Sequence, residues 1–302
     1  MSKTVWMFPG QGAQKAGMAK DFYENSTLAR QLFDEADAAL DFDLKDTCFE
    51  ENEQIHLTEY TQPCLVTACL AMAAELRKRG FRPDMTAGLS LGEYAAIAAA
   101  GGMSPLDAIR LVRKRGLLMQ NTIPAGEGAM CAVLGMETPV IETVLSGVDG
   151  VTIANYNCPG QIVITGQAEA VAKAGEALKE AGARRVLPLK VSGPFHSPMM
   201  RPAGEELAKV FAGVSMNPLK IPYVANINAE VITDCGRIEG LLVEQVSGSV
   251  RWQQSVENMI RQGVDTFVEI GPGRTLAGFM RKIDRNVKVY NIQTVEDAEK
   301  VC

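Results

Sequence analysis

Gly88, Ser90 and Gly92 in the stretch TAGLSLGEYAAIAAAGG spell G-x-S-x-G. A serine in that spacing is either a nucleophile presented on a sharp strand-to-helix turn or an ordinary serine at a helix start. A serine nucleophile needs a base at neutral pH. The chain has only two histidines, His56 and His196. His56 lies in the polar run EENEQIHLTEYTQ, which suits a surface or capping residue. His196 lies in VSGPFHSPMM, a loop fenced by Pro194 and Pro198 where an imidazole can be held still. His196 is therefore the candidate base, with an ordinary hydrogen-bonded loop histidine as the alternative. No acid stands at a useful place for a third member, because Asp149 and Glu169 fall in what reads as an inserted lobe. A main-chain carbonyl or a glutamine amide would have to orient the ring, which counts against an ordinary esterase.

The run SPLDAIRLVRKRGLLMQ supplies a third chemical group. On a wheel of about 100° per residue, Ala108, Ile109, Val112, Gly116 and Met119 share an apolar face. Arg110, Arg113 and Lys114 point to the other side, and Arg115 falls within the apolar arc. An inward guanidinium needs a partner. That partner is either a protein carboxylate or the carboxylate of a substrate, for which the planar fork of arginine is well shaped.

These residues need elements to hold them. TVWMFPG reads as a first strand running into a Gly-rich turn, with helices at about residues 27–40 and 63–79. DMTAGLS reads as a weak strand ending at Leu89, and GEYAAIAAAGG as a short helix closed by glycines. Ser104 caps the next helix, with Pro105 at its first position. This alternation predicts a parallel sheet covered on both faces. The middle of the chain, at about residues 124–191, reads strand, helix, strand, strand, helix, strand, the ferredoxin-like order. The α/β rhythm then resumes with IPYVANIN, helices near 237–247 and 252–262, TFVEIGPG, a helix and VKVYNI. The predicted architecture is a discontinuous α/β domain, residues 1–123 and 192–302, carrying a small ferredoxin-like domain, residues 124–191.

Composition narrows the classes. Apolar residues make up 47% of 302 residues, as in a globular chain. No apolar run approaches the ~20 residues of a membrane helix. The opening MSKTVWMFPG reads as a strand rather than a signal peptide, so a cytoplasmic location is expected. The seven cysteines form no C-x-x-C and have no histidine at zinc-ligand spacing, so they read as reduced packing thiols with no metal site. A net charge of −6 argues against a broad nucleic-acid surface. RLVRKRG and FMRKIDR are local basic patches, read mainly as solvated helix faces.

Taken together, the ordered motifs FPGQG, GLSLGEY, RKRGLLMQ, NCPGQIVITG, GPFHS and QVSGSVRW resemble the malonyl-CoA:acyl carrier protein transacylases of fatty acid synthesis, from Phe8 to Gly273. The resemblance implies an α/β-hydrolase-like core with a ferredoxin-like insert. It implies Ser90 as nucleophile, His196 as base and Arg115 as the partner of the malonyl carboxylate. It further implies an oxyanion hole from the main-chain N–H groups of Gln11 and Leu91. Gln245 corresponds to a glutamine near the histidine, with a helix-surface amide as the alternative. Asn157 corresponds to a residue lining the cleft, with a turn-forming asparagine as the alternative. Phe195 matches a bulky residue associated with malonyl over branched groups. Many members read G-H-S-x-G; here Leu89 stands before the serine, and Ser249 stands where a proline is frequent.

The implied reaction is a ping-pong transfer of malonyl from malonyl-CoA to the phosphopantetheine thiol of acyl carrier protein, with no metal or redox cofactor. The implied partners are malonyl-CoA and acyl carrier protein, with no nucleic acid and no membrane, and a monomer is expected. Local Lys and Arg near the cleft mouth should guide an acidic carrier. The rivals are a trans-acting polyketide malonyltransferase, a serine thioesterase or hydrolase, and a docking module with a dead site. A nucleotide binder is the weakest, since neither FPGQG nor EIGPG fits G-x-G-x-x-G or the P-loop.

Overall fold

A computed structural model describes residues 2–301. In chain order its strands are β1 (Lys3–Phe8), β2 (Met85–Gly88), β3 (Gly128–Leu134), β4 (Val151–Cys158), β5 (Gln161–Gln167), β6 (Arg185–Pro188), β7 (Tyr223–Val224), β8 (Val231–Ile232), β9 (Val264–Ile270) and β10 (Lys288–Ile292). Six of them form one sheet in the order β10-β9-β1-β2-β7-β8. Its pairs are parallel except β7 with β8. β1 lies near its centre, and Val5, Trp6, Met7 and Phe8 are fully buried. That continuous apolar run is what a parallel strand covered on both faces demands.

The other four strands form an antiparallel sheet in the order β4-β5-β3-β6. The helices Thr138–Leu145 and Ala168–Glu180 cover one face of it, over Cys131, Val133, Ile162 and Ile164. The alternate residues Met130, Ala132, Gln161 and Val163 line a cavity on the opposite face. In β4, Val151 and Ile153 face the helices. Simple alternation would send Asn155 and Asn157 the same way. A register shift between Ile153 and Asn155 turns them to the cavity instead. The two sheets are stitched at this point. Val250 N–H donates to the Ala154 carbonyl at 2.7 Å, and Tyr156 N–H to the Val250 carbonyl at 2.9 Å. Ser249, in the place of the frequent proline, donates its hydroxyl to the Ile153 carbonyl at 2.6 Å.

Three sequence expectations change. The helix expected from about 63 begins at Thr58 and runs to Lys78, with Pro63 inside it. Pro63 has no N–H to give the Glu59 carbonyl one turn back. Arg113 Nη1 donates to that carbonyl at 2.8 Å instead. Arg113 itself is the second correction, because the wheel turned it outward and it is buried. Its guanidinium meets Asp41 through two bonds of 2.8 and 3.0 Å and Glu59 through one of 2.9 Å. It also lies over the Phe42 and Tyr60 rings at 5.0 and 4.8 Å. Asp41, Phe42, Glu59 and Tyr60 close over Arg113 on an otherwise outward side. Arg110 and Lys114 are exposed, as expected. Third, IPYVANIN yields only the two-residue β7, and the helices Lys20–Asn25, Leu44–Phe49, Arg201–Phe211 and Val295–Val301 stand where no helix is expected.

Cys48, Cys64, Cys69, Cys131 and Cys158 are buried free thiols, and Cys302 lies outside the described residues. Among the described residues no helix is long and apolar enough to cross a membrane.

Candidate active site

β2 ends at Gly88 and a helix, Gly92–Ala100, begins four residues on. Between them Ser90 has φ +50°, in the left-handed region that a side chain rarely adopts. The chain can turn this sharply because Gly88 and Gly92, two residues to either side, lack a Cβ. One at Gly92 would overlap the Phe8 carbonyl, and one at Gly88 would overlap Gly92. The elbow is pinned from below by one amide. Asn226 Oδ1 accepts from Ser90 N–H at 2.6 Å, and Asn226 Nδ2 donates to the Gly88 carbonyl at 2.7 Å. These bonds hold the strained conformation and lift the Ser90 side chain into the cavity.

His196 meets it there, with Nε2 2.7 Å from Ser90 Oγ. Its own φ is +59°, so the loop between the prolines is also held in a rare conformation. On the other side of the ring, Nδ1 lies 2.8 Å from the main-chain carbonyl of Gln245. A carbonyl only accepts, so Nδ1 carries the proton and Nε2 is left to accept from the serine hydroxyl. Burial, and then the Arg115 cation, push the His196 pKa down to about 4. The imidazole is therefore neutral at pH 7 and ready to take a proton. The ring is oriented by a carbonyl and not by an acid, as expected. His56 is exposed in the short turn Gln54–His56.

Arg115 is buried, as the wheel predicts. Its Nη2 lies 3.3 Å from Ser90 Oγ and 3.0 Å from Gln245 Oε1. Its guanidinium rests over the Tyr94 ring at 5.2 Å, and its Nε has no partner among the described residues. Burial holds its pKa below the usual arginine value, partly offset by Tyr94 and Glu93. Arg113, two residues earlier, has two carboxylates. Arg115 has none within ion-pair distance among the described residues. The carboxylate partner offered as one alternative is thus missing, and the cation faces the serine.

Gln245 is buried and not a surface amide. Besides its bond to Arg115, its Nε2 donates to the Ser90 carbonyl at 2.9 Å and to Glu93 Oε2 at 2.6 Å. Above the serine is a cavity of about 270 Å³, lined by Gln11, Leu91, Arg115, Asn157, Phe195 and His196 among others. The Gln11 amide is held by Thr58 Oγ1 at 3.0 Å. The main-chain N–H groups of Gln11 and Leu91 make no internal hydrogen bond among the described residues. Asn157 is buried with Oδ1 unpartnered at the cavity wall. Leu89 lies on the same wall as an apolar surface, packed with the cluster around Val5 and Trp252. The expected set is therefore brought to one place.

Asn226 and Glu93 were not singled out in the sequence. Glu93 carried a signal: it is an acid inside GEYAAIAAA, a helix with no polar face. Asn226 carried a weaker one, as a polar residue in the apolar run YVANI.

Chemically, the arrangement offers a hydroxyl beside a neutral imidazole, two idle N–H donors and an unpaired cation. The acyl transferase domain model matches residues 5–298. The chain belongs to the acyl transferase family. Within that family it is similar to the malonyl CoA-acyl carrier protein transacylase of Bacillus subtilis (strain 168), at 45% identity over 99% of this chain and 96% of the relative. The protein of the same description from Staphylococcus aureus (strain MRSA252) is 43% identical over 99% of this chain and 98% of its own. Among solved structures, an acyl carrier protein S-malonyltransferase from Vibrio cholerae superposes with a TM-score of 0.97, at 39% identity and full coverage of both chains. A malonyl-transacylase solved in complex with a type II PKS acyl-carrier protein gives 0.96, at 37% identity, over 99% of this acyltransferase and 98% of that chain.

Proposed function

We propose that this acyltransferase moves a malonyl group from malonyl-CoA to the phosphopantetheine thiol of acyl carrier protein, supplying fatty acid synthesis. The observation that carries the reading is Arg115: a buried cation with no carboxylate at ion-pair distance among the described residues, 3.3 Å from the serine hydroxyl. A 3-carboxyacyl group is the substrate that completes it. The names of the relatives point the same way.

Ser90 Oγ attacks the thioester carbonyl carbon, and its proton passes to His196 Nε2. The carbonyl oxygen takes up the electron pair and is received by the N–H groups of Gln11 and Leu91. The pair returns, the C–S bond breaks, and coenzyme A leaves as a thiol with the proton from His196. The result is a malonyl-serine ester. The carrier thiol then gives its proton to His196, attacks the ester carbonyl, and displaces Ser90 Oγ, which recovers the proton. Every step uses a hydroxyl, an imidazole and main-chain donors, so the reaction requires no metal or redox group. Arg115 holds the far carboxylate and so fixes the reacting carbonyl. Phe195 narrows the cavity beside it, and Asn157 Oδ1 offers an acceptor to an amide N–H of the pantetheine arm.

We read the antiparallel lobe as a ferredoxin-like unit, a reading its strand order β4-β5-β3-β6 supports. The lobe at 124–191 and the core at 1–123 and 192–302, hydrolase-like at its serine elbow, meet over the cavity. Exposed Lys190 and Arg274 adjoin cavity-lining residues in the chain and suit an acidic carrier at the mouth. The enzyme acts as a cytoplasmic monomer in this reading. A thioesterase would leave Arg115 without a use. The test is transfer to phosphopantetheine-loaded carrier protein from malonyl-CoA and acetyl-CoA. Malonyl should be strongly preferred; equal transfer of both, or release of free malonate instead of transfer, overturns the reading.

A further inference from the structure

Glu93 is a fully buried acid that the chemistry above does not use. It lies three residues after Ser90, at the start of the helix behind the elbow. Its Oε2 accepts from Gln245 Nε2 at 2.6 Å and from Asn226 N–H at 3.2 Å. Those two residues hold the whole site. Asn226 grips both sides of the elbow through its side chain. Gln245 orients His196 through its main-chain carbonyl and receives Arg115 on Oε1. We propose that Glu93 is the positioning residue of this site, acting on Ser90, His196 and Arg115 through the amide of Gln245 and the backbone of Asn226.

The reason lies in the two ways an amide can turn. With Nε2 toward Glu93 and the Ser90 carbonyl, Gln245 presents Oε1 to Arg115, and all three contacts are favourable. Turned by half a rotation, Gln245 would set its oxygen against the Ser90 carbonyl and its NH2 against the guanidinium. Glu93 supplies one of the two acceptors that fix the first arrangement. The acid that the serine and histidine lack is thus present, one amide removed.

Its charge matters as well as its shape. The groups facing Glu93 are Arg115 from the neighbouring helix, Tyr223 from β7 and Tyr94 from its own helix, with Gln245 and Asn226 as neutral donors. Burial outweighs all of these and raises its pKa to about 8. At pH 7 Arg115 is therefore left with its charge uncompensated, open to a carboxylate from outside. Ionised Glu93 would give Arg115 an internal counter-charge and compete with the substrate.

This part rests on the malonyl reading, so the test carries a probe independent of it. Ser90 labelling is followed by intact mass between pH 6 and 9.5, with malonyl-CoA and separately with phenylmethanesulfonyl fluoride, a small neutral serine reagent. The variants are Glu93→Leu, which removes the acceptor, and Glu93→Gln, which keeps an acceptor oxygen and cannot ionise. Leaving two buried donors without an acceptor should slow both labels in Glu93→Leu by about 30-fold or more. Glu93→Gln should restore most of that rate at pH 7. Above pH 8 the ratio of malonyl to sulfonyl labelling should fall in the wild type and stay flat in Glu93→Gln. A folded Glu93→Leu that labels at the wild-type rate overturns the positioning role. A wild-type ratio that follows the same pH course as Glu93→Gln overturns the role given to its charge. No malonyl label with normal sulfonyl labelling would refute the malonyl reading, and the sulfonyl rates of the two variants would still judge Glu93.

Discussion

Arg115→Ala is the perturbation whose size the structure fixes best. The guanidinium has two hydrogen-bonding contacts, to Ser90 Oγ at 3.3 Å and Gln245 Oε1 at 3.0 Å, and an unpartnered Nε. Truncation removes a buried charge partner from an incoming carboxylate, a loss of about 2–5 kcal/mol. It also strands Gln245 Oε1, at about 1–3 kcal/mol, but that cost falls on every acyl group alike. The difference between substrates is therefore the first figure alone. The kcat/KM for malonyl-CoA should fall by about 30- to 5000-fold more than that for acetyl-CoA. For acetyl, losing an unpaired cation from the cavity offsets part of the common cost. The assay is single-turnover labelling of Ser90 by each thioester, with Arg115→Lys as a second variant. Lysine keeps the charge without the planar fork and should recover part of the preference. An equal loss for malonyl and acetyl would refute the reasoning, because Arg115 would then act on the serine and not on the carboxylate.

Other expectations follow from the same geometry. His196→Ala should slow Ser90 acylation by about 10²–10⁴-fold while the protein stays folded, and an unchanged rate would remove the base. With the His196 pKa down at about 4, acylation at pH 5 should stay close to its pH 7 rate, and an inflection near the ordinary 6.5 would contradict the buried neutral ring. The same shift has a stability sign. An unfolded histidine takes up its proton near 6.5 and the native one only near 4, so this contribution is complete above 6.5 and drains as pH falls toward 4. Melting curves at pH 7 and 5 should show that loss in the wild type and a smaller one in a folded His196→Asn. Glu59→Ala should cost about 1–3 kcal/mol by taking a carboxylate from buried Arg113, with labelling of Ser90 little changed. A large loss of labelling in a folded Glu59→Ala would mean that the two arginines are not independent.

The readability of the site follows from what a sequence can encode. Ser90 was legible because glycines flank the turn, and His196 because prolines fence it. Arg115 was legible because its helix has an apolar arc to fall within. Arg113 was misread for the complementary reason. A wheel shows one apolar face and cannot show that polar neighbours, Asp41 and Glu59, close over the other. The partner of His196 was legible only as a missing acid, since a main-chain carbonyl has no side-chain signature. Asn155 and Asn157 reach the cavity only through a register shift in β4, which alternation cannot foresee. Pro63 hid the first turn of its helix, because the group that replaces its N–H comes from residue 113. Asn226 and Glu93 escaped because they touch the backbone and amides that hold the site.

The most direct measurement is the covalent state of the serine. Incubation of the chain with malonyl-CoA, followed by intact mass and peptide mapping, should give one malonyl group on Ser90. Acyl carrier protein bearing a free phosphopantetheine thiol should then discharge it, and Ser90→Ala should take up none. A folded protein with no adduct, or with malonyl on another residue, would contradict the account.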